Sequence, residues 1–200
     1  MSNMSKKKII AMMALVIVIA ILGTGTLAYF TTRVVTHNVI TSGGVNIQLV
    51  ETQDLDNNPA TAETPYPTEN LSGIMPGQKV SKIVRVQNLD ANAWVRAKVV
   101  ITVKDSNGNV LPEGVVTVNT NNDNWIPNGD WYYYKDYVPA GGKTEVPLFT
   151  QVTFADVDMD NRYQNATVEI SVDAEAIQYA NNEEFATAWP AGVVIEDAKR

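Results

Sequence analysis

The 200-residue chain has no cysteine and a single histidine, His37. Without disulfides a packed core has to hold the fold by itself. A thiol nucleophile is excluded. A zinc protease needs several imidazole or carboxylate ligands at fixed spacing, usually His-Glu-x-x-His on a helix, and no such motif is present. A Ser–His–Asp arrangement could draw only on His37, which lies in an N-terminal extension. Basic residues are few: 15 Lys and Arg stand against 22 Asp and Glu, a net charge of −7. That balance argues against nucleic acid, whose phosphates need a basic surface. After residue 30 no apolar run is long enough to span a membrane.

The N-terminus has the three parts of a signal peptide. Lys6, Lys7 and Lys8 are a positive start, and Ile9 to Leu22 is an unbroken run of 14 apolar residues. A spanning helix needs roughly 20 apolar residues, whereas a signal-peptide core has about 7–15. Small residues follow, and Thr26 and Ala28 occupy the positions that a signal peptidase reads. Cleavage is expected between Ala28 and Tyr29. The alternative is an uncleaved anchor from Ile9 to Phe30, a helix that Gly23 and Gly25 weaken. Removing residues 1–28 takes away three lysines and no acid. The remaining 172 residues carry 12 basic and 22 acidic side chains, a net charge of −10. Such a charge keeps an exported protein apart until a specific contact forms.

Beyond residue 30 the pattern has period two. In Ala166–Ala176, Ala166, Val168, Ile170, Val172, Ala174 and Ala176 share one face, and Thr167, Glu169, Ser171, Asp173 and Glu175 the other. That is a strand with one buried and one wet face. Glu145–Phe154 and Trp94–Val103 alternate in the same way. Val45–Val50, Val80–Val86, Val115–Val118 and the aromatic run Trp131–Tyr137 are further strands. Asn107-Gly108 marks a hairpin turn. Asp54–Asn70, with Pro59, Pro65 and Pro67, is a loop. Seven or more short strands at this spacing predict an all-β, antiparallel β-sandwich. One short helix is expected within Ile177–Trp189, where Asn181, Asn182, Glu183 and Glu184 look like a helix start. The expected organisation is a removed signal peptide (1–28), an N-terminal strand and linker (29–44), and one sandwich domain (45–200).

Several segments together carry a resemblance. They are GTGTLAYFT at residues 23–31, Ile74-Met75-Pro76-Gly77-Gln78-Lys79-Val80, Val84-Arg85-Val86-Gln87-Asn88, and Trp94-Val95-Arg96-Ala97. Asp130-Trp131-Tyr132-Tyr133-Tyr134-Lys135, Val138–Thr144, Pro147-Leu148-Phe149, Ala174–Gln178 and Ala188-Trp189-Pro190 complete the set. In this order, over roughly residues 9–190, the chain resembles the TasA/camelysin (CalY) family of Gram-positive bacteria. The resemblance implies a jelly-roll sandwich and export through a SipW-type signal peptidase. It implies a place in the biofilm matrix or on the cell or spore surface, with an accessory matrix protein as a further partner. It also implies fibres in which the released N-terminal segment completes a neighbour's sheet. The camelysin name brings a rival, a secreted metal-dependent endopeptidase, which no residue pattern here supports.

Three residue sets bear on function. Tyr29-Phe30-Thr31-Thr32-Arg33-Val34-Val35-Thr36 is rich in strand-forming residues, and Tyr29, Phe30, Thr32, Val34, Val35 and Thr36 are the candidate assembly strand. Added to a sister molecule's sheet edge, head to tail, such a strand builds a homopolymer. The alternative is that residues 29–40 pair within their own sheet as an edge strand. Thr41-Ser42-Gly43-Gly44 reads as the flexible joint. Asp156, Asp158 and Asp160 are candidate Ca²⁺ ligands. Asn161 and Thr167 stand where an EF-hand needs Gly and Glu, so the first reading is a solvated acidic turn and no cofactor is expected. Trp125, Trp131, Tyr132, Tyr133, Tyr134 and Tyr137 form either a core or a platform for cell-wall glycans, with core packing favoured for at least half of them. In a strand Trp131, Tyr133 and Tyr137 share one face and Tyr132 and Tyr134 the other, so one face is expected in the core. No catalytic residue is assigned. The C-terminal Ile195–Arg200 carries no sorting motif or apolar tail, so attachment to cells is expected to be noncovalent. N-terminal sequencing of the exported product should begin at Tyr29; a product that keeps Met1 and sits in lipid overturns this reading.

Overall fold

The strict alternation of residues 166–176 is realised in the last strand, β12 (Thr167–Gln178), whose residues are alternately half-buried and buried up to Ala176. The computed structural model describes residues 30–34, 39–42, 45–54, 63–67, 71–156, 161–182 and 189. Before β12 come β1 (Phe30–Val34), β2 (Val39–Ser42), β3 (Ile47–Gln53), β4 (Thr64–Pro65), β5 (Leu71–Ile74) and β6 (Lys79–Asn88). They are followed by β7 (Ala93–Lys104), β8 (Val116–Val118), β9 (Trp125–Asn128), β10 (Trp131–Tyr134) and β11 (Phe149–Phe154). The first sheet runs β5-β1-β12-β7-β10-β9, with β2 also on β12; the second runs β4-β3-β6-β11-β8. From β4 onward the chain passes back and forth between the sheets, so each covers the other's apolar face. This is the expected β-sandwich.

The core lies between the sheets. Val168, Ile170, Val172, Ala174, Val95, Ala97 and Tyr134 from the first sheet meet Ile47, Val84, Val86, Val116, Phe149, Val152 and Phe154 from the second. Trp125 is fully buried; its ring lies 5.0 Å from that of Tyr134 and its indole N–H donates to the Val146 carbonyl at 3.0 Å. Buried Asn88 ties two loops together by donating to the carbonyls of Ala91 and Val138 at 2.7 and 3.0 Å.

Several local features depart from the sequence reading. The Asn107-Gly108 turn carries positive φ only at Gly108, and Asp105 organises it by accepting from the Asn107 and Asn109 amides. Only the Lys104–Val110 bridge forms beyond the turn, after which the chain crosses to the other sheet. The aromatic strand stops at Tyr134, and β11 begins only at Phe149, four residues later than expected. Ile177 and Gln178 extend β12, and residues 179–182 form a turn; residues 183–188 of the expected helix lie outside the described residues. The first sheet is mixed, because β1 and β2 both run parallel to β12.

Trp125→Ala is expected to cost about 3–5 kcal/mol through the cavity it leaves, with a further penalty for the unpaired Val146 carbonyl. The urea midpoint measures the loss, and an unchanged midpoint would show that the aromatic core is dispensable.

Candidate functional site

The segment singled out for assembly forms a distinct structural site. β12 pairs with β7 at twelve facing positions, from Thr167↔Lys104 to Gln178↔Ala93. Its other edge takes the N-terminal strands. Thr31, Thr32, Arg33 and Val34 face Thr167, Val168, Glu169 and Ile170. Val39, Ile40, Thr41 and Ser42 face Ala174, Glu175, Ala176 and Ile177. The separation in sequence falls from 136 to 135 between the two sets, so the stretch between β1 and β2 holds one residue more than the β12 stretch opposite. β5 closes the far side of β1, with Phe30 facing Ile74 and Thr32 facing Leu71. β1 therefore fills a slot between β5 and β12.

Of the six assembly residues named from sequence, Phe30, Thr32 and Val34 lie in β1; Tyr29, Val35 and Thr36 lie outside the described residues. The strand pairs within its own chain, as the alternative reading had it, and between two strands rather than at an edge. The proposed joint needs correction. Thr41 and Ser42 belong to β2 and pair with β12; Gly43 and Gly44 lie outside the described residues. The β-branched Thr41 carries the strand further than its turn-like neighbours suggested. The Ala28–Tyr29 junction also lies outside the described residues.

On the outer face of the first sheet, Arg96 forms a cluster that sequence reasoning missed. Its guanidinium pairs with Glu175 and donates from Nη1 to Tyr133 Oη at 3.0 Å. It stacks 4.3 Å from the Trp131 ring and 4.9 Å from the Trp189 ring. The alternation of Arg96 and Glu175 within their strands was visible, but their register across two strands was not. The six aromatic residues divide as the two-faced pattern predicts: Tyr132 and Tyr134 pack toward the main core, and Trp131 and Tyr133 join the outer cluster. Of the six only Tyr137 is exposed, and its ring is tilted 42° to Tyr179, so they form no flat platform.

A second missed group lies beside β4. Lys82 is fully buried, although Val80, Lys82, Val84 and Val86 share the apolar phase of β6, and that placement was the available signal. Its Nζ lies 2.8 Å from Glu51 Oε2 and 4.0 Å over the Tyr66 ring. Burial pushes the ammonium below its ordinary value, against the opposing pull of Glu51. Burial, with the Glu51 carboxylate, pushes the Tyr66 phenol up to about 12. One amine, one carboxylate and one phenol ring meet here as a buried ion pair under an aromatic face.

Among the described residues no three His, Cys, Asp or Glu side chains converge on a metal-sized site. Asp156 is exposed beside Gly77; Asp158, Asp160 and His37 lie outside the described residues. No described helix is long and apolar enough to cross a membrane. Comparison with protein-family models, with curated proteins and with solved structures finds no match.

Tyr66 gives a pH dependence whose sign follows from its raised value. The unfolded phenol ionises near 10 and the folded one near 12. Its contribution to stability is complete below pH 10 and is lost as pH rises through 12. Lys82 acts in the opposite sense, because its folded value is depressed: stability grows as pH rises toward 10.5. Comparison with Tyr66→Phe isolates the first effect. Urea midpoints at pH 9 and 11.5 should fall more steeply in the parent than in Tyr66→Phe, and parallel slopes would refute the assignment.

Proposed function

We propose that the protein is an exported structural subunit of an extracellular matrix or of a cell or spore surface, joined to copies of itself by exchange of its N-terminal strand. The observation that carries this reading is the slot between β5 and β12. There Phe30–Val34 pairs on both sides, and Val39–Ser42 continues along β12. Every contact of that strand is made to backbone positions far away in sequence. The slot therefore accepts the strand equally well from its own chain or from a neighbour. The glycine pair before β3 is where the two arrangements would diverge.

The energetics favour neither state by much. Eight positions of the strand face β12, and each main-chain bond is worth roughly 0.5–1.5 kcal/mol net. Exchange replaces these bonds one for one. The balance is then set by hinge strain, by the entropy of association and by protein concentration. A closed monomer has to release its own strand first, so polymerisation should be slow and should respond to seeding. Head-to-tail contacts of this type do not close, and they yield filaments of folded subunits. The net charge of −7 opposes unspecific clumping.

The exported chain should form fibres visible by electron microscopy under some condition of pH, salt or seeding. Deletion of residues 29–37 should abolish them while far-UV circular dichroism stays β-rich. A synthetic peptide of residues 29–42 should cap growing ends and shorten fibres. Equal fibre yield from the deleted chain would refute strand exchange. Chelator-sensitive hydrolysis of casein by the pure protein would favour the peptidase reading instead.

A further inference from the structure

Tyr137 follows β10 and Tyr179 follows β12, 42 residues further along the chain, yet their rings stand side by side. The ring centres are 4.6 Å apart and the planes are tilted by 42°. Both rings also lie against the fully buried indole of Trp94, with centres 6.3 and 5.5 Å away. Contacts of this kind are ordinary packing in a core. This pair is not in the core: Tyr137 is 37 % exposed and Tyr179 is half-buried.

The backbone beneath the two rings is fixed by one short stretch of chain. Val138, next to Tyr137, exchanges both main-chain bonds with Ala93, at 2.7 and 3.0 Å. The Tyr179 N–H donates to the Asn92 carbonyl at 2.7 Å. The Asn92 side chain accepts the Ala140 amide at 2.9 Å, and the Trp94 indole donates to the Asn182 carbonyl at 2.7 Å. Asn92, Ala93 and Trp94 thus hold both tyrosine-bearing segments at once. Groups held together in this way react with effective concentrations that reach roughly 10⁵–10⁸ M when the alignment is good.

The reaction open to two adjacent phenols is oxidative coupling. In a directly joined pair of rings, two ring radii and one carbon–carbon bond give a centre-to-centre distance slightly shorter than the 4.6 Å already present. The rings have to turn, but their centres barely have to move. Other described tyrosines are placed differently. Tyr66, Tyr133, Tyr134 and Tyr163 are buried, and Tyr132 packs toward the core. The chain has no cysteine, so no disulfide can tie these segments.

We propose that Tyr137 and Tyr179 are the site of an intramolecular dityrosine cross-link, made by a one-electron oxidant of the haem-peroxidase class that consumes hydrogen peroxide. Each phenol gives up one electron and one proton and becomes a phenoxyl radical, with spin density on the Cε carbons beside the oxygen. The two radicals combine in a new bond between one Cε of each ring. The hydrogens on those carbons move to the phenolic oxygens as protons, which restores both aromatic rings. The peroxide takes up the two electrons and two protons and leaves as two waters. The exposed Tyr137 ring is where the oxidant takes the first electron. The product ties the end of β12 to the segment between β10 and β11. The slot beside β12 plays no part, so the cross-link stands whether or not the protein forms fibres.

Treatment of the dilute, purified protein with a haem peroxidase and hydrogen peroxide tests this directly. The protein should stay a monomer on a denaturing gel, lose the mass of two hydrogen atoms and gain dityrosine fluorescence. Tryptic peptides 136–143 and 163–199 should be recovered joined, with fragment ions placing the bond on Tyr137 and Tyr179. The urea midpoint should rise on oxidation, because the link closes a long loop in the unfolded chain. Tyr137→Phe and Tyr179→Phe keep the ring and remove the phenol. Each should abolish the fluorescence and the rise in midpoint, while the unoxidised variants unfold close to the parent. Undiminished dityrosine in either variant overturns the proposal. So does a parent that forms no cross-link, or one that forms it only in dimers whose yield rises with protein concentration.

Discussion

The twelve-position ladder between β12 and β7 is the constraint on which the rest of the sandwich depends. It places the last strand of the chain in the middle of a sheet, with side chains from Val168 to Ala176 alternating into the core. A central strand has two edges to satisfy, and the edge of β12 away from β7 takes β1 and β2. The first strand therefore fills the remaining edge. Its parallel direction is workable because the whole domain serves as the crossover. Thr31 and Thr167 are 136 residues apart, one of the longest separations in the molecule. Contacts of that range are slow to form, because loop-closure entropy is lost before the contact returns anything.

The polar groups of the interior tie separate elements of the sandwich together. Asn88 satisfies the carbonyls of two loops, and the Thr144 hydroxyl accepts the Val86 amide. Lys82 and Glu51 balance one another where an isolated charge would be costly. Arg96 is held by Glu175 and by aromatic rings from β10 and from Trp189, so one side chain connects the end of the described chain to the centre of the first sheet. Each of these groups holds separate elements together.

Much of this architecture was legible from alternation. Ala166–Ala176 announced β12 and its inward face, Trp94–Val103 announced β7, and the two-faced reading of Trp131–Tyr134 divided those four rings between core and outer face correctly. Alternation worked because each strand packs one face against the other sheet, so polarity records burial. It was weaker where strands end. β11 lost its first four residues because Leu148 and Phe149 are both buried, which a regular period of two forbids. The Asn-Gly turn suggested a hairpin, but only one bridge forms after it, because the next strand is needed in the other sheet. Lys82 was legible as a lysine at an apolar phase. Its partners were not, since Tyr66 comes from a segment that reads as loop.

The sequence by itself determined the class of fold, the inward faces of the long strands, the lack of thiol chemistry and the strand character of residues 30–34, because each depends on local composition or on a period of two. Tertiary structure alone decided the neighbours. That β1 lies between β5 and β12, and that its direction along β12 is parallel, both depend on which strands meet across the sheet. Main-chain hydrogen bonds are the same for every residue, so a strand's sequence records which face it buries but not which strand it pairs with.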